Sequence, residues 1–392
     1  MRPDEIRRHN LSLMLAQIHR DGALTRAQLT QRLGVSRSTV GALVGDLTQL
    51  GLLREVVPTG GVGVGRPSHV VAPNRGGPFA VAVDIDVAHT TVAAVGLGGD
   101  ILAREVLRTG AEPATPAVVA RRIVDAIPRL QRAGCPQAQP GGIGVSVPGT
   151  VDRRSGRVGV APNLGWKDAP LGALLSEIAP YGVPVTVGND ADLAVLAEHQ
   201  RGSARGCGDV VYLMLRIGVG AGIIIGGTPL LGHDGHAGEI GHNVLDPSGA
   251  LCHCGNRGCT ETYIGGGALL TLAGRPLPLT DAAVAEVFTD ARAGDVRALT
   301  AVREVAGQLG RAIANLLNTL NPQRVLVGGS LSEILDVARD ELEASVVTYA
   351  FEAPTRTVQL VAPALGADSA LLGAAEVAFA GILADPLAWP SR

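Results

Sequence analysis

The hydrophobic pattern changes character along this chain, and the changes mark out its parts. In the first fifty residues apolar positions recur near helical spacing: Ile6, Leu11, Met14, Leu15 and Ile18 over 4–20, then Val40, Leu43, Val44 and Leu47 over 37–50. Asp21-Gly22 stops the first helix. Thr25-Arg26-Ala27-Gln28 reads as a capping box that opens a second helix running to Leu33, with the threonine hydroxyl capping and the glutamine reaching back. Gly34-Val35 is a turn, and Ser36 is the N-cap of the third helix. Leu52–Val57 and Ser68–Ala72 read as strands on either side of a Gly-rich tip, 58–67. Three helices followed by this hairpin predict a winged helix–turn–helix over 1–75.

From Phe79 the helical spacing gives way to short apolar runs bounded by glycine. Strands are expected over 79–86, 90–97 and 101–107, then a helix over 114–133. A strand-to-loop unit at 142–149, a strand at 183–187 and a helix through Gln200 follow. A second hairpin, 209–216 and 220–225, straddles what reads as a glycine-rich link, Gly218–Gly222. A long helix near 299–320 and a buried strand at 324–330 close the set. Strand–helix alternation predicts layered α/β domains. The repeated opening hairpin predicts two related lobes: 79–189, completed by a C-terminal helix over 368–384, and 190–367. Pro73–Pro78 reads as a linker. No apolar run was expected to be long enough to cross a membrane, which predicts a soluble chain.

Composition changes this picture in two ways. Apolar residues make up 46 % of the chain and aromatic ones 3 %, with 53 glycines, so the cores are built from small side chains in close approach. The formal charge of −3 hides an asymmetry: residues 1–75 hold ten Arg and five acids (+5), and the remaining 23 basic and 31 acidic residues give −8. A basic head on an acidic body predicts a polyanionic partner for the head. Arg37, Ser38 and Thr39 open the outer face of the third helix, where a recognition helix meets base edges. Arg26 and Ser36 lie beside them. Arg66 at the wing tip is placed for a minor groove. Operator DNA, read by a homodimer or a dimer of dimers, is the expected partner.

Three of the five cysteines, Cys252, Cys254 and Cys259, fall within eight residues. An odd count and the absence of a signal-peptide pattern predict the cytoplasm rather than a disulfide framework. Three thiolates and one imidazole are what a closed structural zinc site requires. Spacing leaves the imidazole open among His242, His253 and His236. Just upstream stands Glu239-Ile240-Gly241-His242.

These residues carry a resemblance. Glu239-Ile240-Gly241-His242 followed by Cys252-x-Cys254-Gly255-x-x-Gly258-Cys259-x-Glu261 resembles the signature of the ROK proteins, a group that joins sugar kinases to sugar-responsive repressors. Further matches are Pro162-Asn163-Leu164-Gly165-Trp166, Gly188-Asn189-Asp190-Ala191 and Val327-Gly328-Gly329-Ser330. The winged head, with Gly65-Arg66-Pro67, resembles the repressor branch. The resemblance implies a two-lobed, actin-like (ribonuclease H-like) ATPase/sugar-kinase fold with a sugar in the cleft. It implies Asn163, Asn189, Asp190, Glu239, His242 and Glu261 as sugar contacts, and zinc held by His242, Cys252, Cys254 and Cys259.

In the kinase branch Asp190 would be the general base, and Asp-x-Gly-Gly-Thr after the first strand would hold ATP phosphates. Here that stretch reads Asp84-Ile85-Asp86-Val87-Ala88-His89-Thr90, without either glycine and with an added carboxylate. Val219 stands where the kinases usually carry a hydroxyl residue. The expectation is therefore a regulator with a degenerate ATP site and no catalytic residue. The alternatives are a sugar kinase using Asp190 and a DNA-binding factor without a ligand.

Overall fold

The structure, a computed structural model, describes residues 2–56, 69–108, 114–216, 218–277 and 280–390. The chain divides into two compact units, Met1–Gly188 with Leu371–Arg392, and Asn189–Ala370.

The first unit opens with helices Pro3–Asp21, Arg26–Leu33 and Arg37–Gln49. Their facing sides bury Leu11, Met14, Leu15, Ile18, Leu29, Val40, Leu43, Val44 and Leu47. Ile6 lies outside that packed stretch and is exposed. Each start has its expected cap. Thr25 Oγ1 accepts from Gln28 N while Gln28 Oε1 accepts from Thr25 N at 2.8 Å, and Ser36 Oγ accepts from Thr39 N. Leu53–Val56 and Val70–Pro73 pair antiparallel. A two-residue strand that the sequence did not announce, Leu24–Thr25, adds to the other edge of Val70–Pro73. The wing tip, with Arg66, lies outside the described residues.

The expected linker is instead a tied turn. Asn74 Nδ2 donates to Gly51 O at 2.8 Å. Gly77 passes so close to Gly51 that a Cβ there would stand 2.6 Å from its carbonyl oxygen.

Two five-stranded sheets follow, one for each unit, and they share one order. In the first, Phe79–Ile85, His89–Gly96 and Ile101–Arg108 form an antiparallel meander; Pro140–Val147 pairs parallel on the other side of the first strand, with Val185–Asn189 beyond it. In the second, Val210–Leu215, Val219–Ile225 and Thr228–Pro229 form the meander; Arg324–Gly329 and Gln359–Val361 extend it in parallel. Counted within each sheet, the order is third, second, first, fourth, fifth. Phe79–Ile85 is buried at every position rather than at alternate ones, as a strand covered on both faces must be. Helix Pro116–Gly134 covers the first sheet, and helix Val296–Leu320 packs into the core of the second unit.

One stretch corrects the membrane expectation. Gly366–Ala384 is helical over 19 residues with a mean hydropathy of 1.5, long and apolar enough to span, yet 67 % of it is buried inside the protein. Its helix, Ser369–Ala384, lies against glycines of the first sheet: a Cβ on Gly142 or Gly144 would collide with the backbone of Ala378 or Ala374. It is largely apolar because protein covers most of its faces, from Ser369 to Phe379.

Candidate functional site

The site grows from close backbone approaches around strand Val219–Ile225 in the second unit. Helix Asp190–Arg201 lies on this strand, and a Cβ on Gly222 would stand 2.2 Å from Ala191 O. Gly220 and Gly222 are therefore strand residues stripped for a helix. This corrects the reading of Gly218–Gly222 as a link between strands, because the connection is confined to the residues before Val219. The 3₁₀ turn Ile240–His242 rests on the same strand. Gly238 (φ +91°) and Gly241 come so close that added Cβ atoms would meet Ala221 O at 2.4 Å and Val219 O at 2.3 Å. Ile240 is buried in the core below. Glu239-Ile240-Gly241-His242 is thus an anchored turn: the apolar residue goes down, the glycine admits the approach, and Glu239 stays exposed.

The cysteine loop folds back on His242. Isolated bridges join Val244 to Cys259 and Leu251 to Arg257. Gly258 (φ +66°) packs against Asp246 so tightly that a Cβ would fall 1.6 Å from its carbonyl oxygen. Thr260 donates from N and Oγ1 to Asn243 O, and Arg311 donates to Leu245 O at 3.0 Å. The result gathers four donors: a ring nitrogen of His242 and the Sγ atoms of Cys252, Cys254 and Cys259 all lie within 4.8 Å of one another.

These distances fit a tetrahedral ion. A metal–sulfur bond of about 2.3 Å implies donor–donor edges of about 3.8 Å. Cys254 Sγ–Cys259 Sγ and Cys252 Sγ–His242 Nδ1 are both 3.7 Å. Burial, then the neighbouring thiols, push the Cys259 thiol pKa up. A hydrogen bond from the Asn256 backbone pulls that of Cys254 down. Three thiols so close cannot all ionise without a cation to replace their protons. Of the three imidazoles that spacing left open, His242 is the one that lies with all three cysteines. His236 is exposed and outside the cluster. His253 turns to Glu261, with Nδ1–Oε1 at 2.9 Å, while its Nδ1 lies 3.9 Å from Cys252 Sγ.

Glu261 ties the loop to the strand, since its Oε2 accepts from Val219 N at 3.1 Å. Asn189 caps helix Asp190–Arg201, accepting from Ala191 N at 2.8 Å and Asp192 N at 3.2 Å through Oδ1. Asp190 is buried at the same helix start and accepts from Ala191 N. Five of the six residues named for a polar ligand therefore belong to elements gathered on one strand of the second unit. The sixth, Asn163, is exposed in the 3₁₀ turn Pro162–Leu164 of the first unit. Sequence reasoning missed His253 as the partner of Glu261; its place between two ligand cysteines was the available signal. The buried Asp84 accepts from Ser146 Oγ at 2.8 Å, and Asp86 and His89 close the hairpin turn after it.

In the head, Ser36, Arg37 and Ser38 are exposed at the start of helix Arg37–Gln49, and Thr39 is half-buried. Ser36 Oγ lies 2.8 Å from both Ser38 Oγ and Thr39 Oγ1. Among the described residues Arg37 forms no ion pair, whereas Arg26 pairs with Glu55.

A family model described as ROK family matches residues 80–380, and one described as MarR family matches residues 12–61. The chain is 28 % identical over 375 residues to the xylose repressor of Bacillus subtilis (strain 168), covering 95 % of each. It is 33 % identical over 314 residues to the glucokinase of Thermotoga maritima, covering 76 % of this chain and 96 % of that one. Among solved structures, a ROK family transcriptional regulator described as a homolog of the E. coli MLC protein matches with a TM-score of 0.80 at 25 % identity, over 98 % of each chain.

Proposed function

Because the chain belongs to the ROK family and carries a winged helix ahead of the family's fold, we propose that it is a sugar-responsive transcriptional repressor of carbohydrate-utilisation genes. The observation that carries this reading is the head itself. The xylose repressor is matched along the head as well as the body, whereas the glucokinase is matched over only 76 % of this chain. The head offers a capped helix whose first turn exposes Ser36, Arg37 and Ser38. Such a helix reads base edges from its N-terminal turn, and a dimer or dimer of dimers would present two of them to paired half-sites in the cytoplasm. Thr39, Arg66 and, once released from Glu55, Arg26 complete the proposed DNA contacts.

The proposed effector is a sugar or sugar derivative. Glu239, His242 and Glu261 supply carboxylate acceptors and an imidazole. Asn163, Asn189 and Asp190 supply amides and a further carboxylate, the set that adjacent hydroxyls require. Zinc would sit on His242 Nδ1, Cys252, Cys254 and Cys259, fixing the loop that carries Glu261 and leaving His242 Nε2 for the ligand.

Kinase chemistry is the second reading, and the glucokinase relative favours it. Against it stand Asp86 and Val87, which replace the two glycines where phosphates need backbone amides and no negative charge. Calorimetric titration with glucose, xylose, N-acetylglucosamine and their phosphates, run beside an ADP-release assay with ATP and magnesium, separates the readings. Heat with one sugar and no ADP is expected. Sugar-dependent ADP release that Asp190→Asn abolishes would replace the repressor with a kinase.

A further inference from the structure

We infer that Glu198, Ser369, Glu376 and His19 are positioning residues that connect the effector-binding helix to the DNA-binding head through the C-terminal helix. The inference rests on the proposed repressor reading and deepens it by naming its means of transmission.

The connection begins at helix Asp190–Arg201, whose first turn carries the proposed sugar contacts Asn189 and Asp190. Glu198, in its last turns, is fully buried. Its carboxylate takes four donors: Ser203 N at 2.7 Å, Ala364 N at 3.1 Å, Leu365 N at 2.8 Å and Ser369 Oγ at 2.9 Å. Gly202 leaves room for it, since a Cβ there would stand 1.9 Å from Glu198 Oε2. The start of the C-terminal helix is thus held by the end of the effector helix, all within the second unit.

Ser369–Ala384 is one continuous helix, yet residues up to Ala370 belong to the second unit and those from Leu371 to the first. Glu376 lies seven residues after Ser369, on the same helix face about 10 Å along the axis. It is buried, and its Oε2 lies 3.0 Å from Nε2 of His19, itself 4 % exposed. The other ring nitrogen defines the bond. The Gly98 backbone N–H can only donate, and it lies 3.1 Å from His19 Nδ1. Nδ1 is therefore the acceptor, Nε2 carries the hydrogen, and the imidazole donates to Glu376. The ring also stands edge-on to Phe379, one turn further along, with centroids 5.3 Å apart.

His19 belongs to the first head helix, which meets the C-terminal helix again at its far end: Ser12 Oγ donates to Leu383 O at 2.7 Å. On its other side, Arg7 pairs with Asp46 of the recognition helix at 2.8 Å. A rotation or shift of the C-terminal helix would therefore reorient the recognition helix through the buried His19–Glu376 bond, the half-buried Ser12–Leu383 bond and the packed core of the head, with the exposed Arg7–Asp46 pair at its surface. A buried polar bond between the head and the helix that crosses the units is costly to leave half-made, so it holds one arrangement.

The test uses the full-length protein and four variants: Ser369→Ala, Glu376→Leu, Glu376→Gln and the double variant Ser369→Ala/Glu376→Leu. Glutamine keeps an acceptor for His19, whereas leucine removes it. Ser369→Ala leaves Glu198 with three backbone donors, which preserves the fold if Glu376→Leu does not. The readouts are affinity for the DNA upstream of its own gene with and without xylose, glucose or N-acetylglucosamine, and affinity for the sugar itself. In the wild type the sugar is expected to change DNA affinity by about 5–150-fold, the usual range of allosteric coupling. Ser369→Ala and Glu376→Leu should keep both separate affinities while that factor falls toward one. Glu376→Gln should keep the factor, and the double variant should be no worse than either single change, because both cut one connection. An unchanged factor in both single variants overturns the connection alone. No sugar effect in the wild type overturns the repressor reading and the connection with it.

Discussion

At the scale of single residues, the site was legible where chemistry forces spacing and illegible where backbone approach decides. Three cysteines in eight residues announced a cluster of donors, but its candidate imidazole was open until the fold placed His242 Nδ1 beside Cys252 Sγ. What brings His242 to the cysteines is Gly241, whose missing side chain lets the turn settle on Val219. Similarly, Asn189 was readable both as a cap and as a ligand contact. In the structure it caps its helix through Oδ1. Arg26 was read beside the DNA-facing residues, and its partner Glu55 lies 29 residues away, a pair that no local pattern predicts.

Glycine tests the same logic. Gly255 and Gly258 both have positive φ, +94° and +66°, yet a Cβ on Gly255 would meet nothing within 4 Å, whereas on Gly258 it would meet Asp246 O. Gly255→Ala should cost only backbone strain, of order 1 kcal/mol. Gly258→Ala should cost several times that and loosen the loop. Zinc stoichiometry and thermal melting check this: near-normal metal content with a small fall in melting temperature is expected for Gly255→Ala, and sub-stoichiometric metal for Gly258→Ala. Equal effects would mean that the close approach does not organise the site.

At the scale of elements, the head helices and their caps were read nearly residue by residue, because the 3.6-residue period and the Thr25 and Ser36 caps are local signals, whereas Leu171–Ile178, Asp281–Arg292 and Arg339–Tyr349 were not announced. Strand partners were not. The two-residue strand Leu24–Thr25 has no pattern of its own and exists only because Val70–Pro73 offers an edge. Gly220 and Gly222 read both as the start of the strand over 220–225 and as part of a glycine-rich link, because strand propensity cannot register a helix lying on them. The C-terminal helix exceeded the expected apolar run because protein covers most of it.

The recognition helix gives the element-scale prediction. Ser36→Ala removes the acceptor for Thr39 N and should cost about 1 kcal/mol of stability, read by urea unfolding. Arg37→Ala removes an exposed guanidinium and should leave stability unchanged. It should weaken DNA binding and, if that guanidinium meets a phosphate, lower the slope of log affinity against log salt by about 1. An Arg37→Ala protein with unaltered affinity would take the first turn of this helix out of the DNA contacts.

At the scale of the whole molecule, the fold class and the family were legible because they rest on repeated, chain-wide features: the hairpin that opens each sheet, and a signature spread from Asn163 to Ser330. The identical strand order of the two sheets gives that repetition its structural form. What no linear pattern could show is that the head is bound to the far end of the chain, through His19, Glu376 and the Ser12–Leu383 bond. These contacts join residues more than 350 positions apart. They make the head part of the first unit's packing rather than a domain on a free linker, so a ligand-dependent change in the body has a structural route to the recognition helix.

The central claim is that one chain reads DNA and answers to a sugar without consuming ATP. Fluorescence polarisation of labelled DNA from upstream of its own gene, titrated with the protein in the presence and absence of each sugar in the panel, tests it most directly. The account predicts binding that one sugar shifts at least several-fold, with ATP making no difference. DNA binding that ignores every sugar, or no DNA binding beside sugar-dependent ATP turnover, would contradict it.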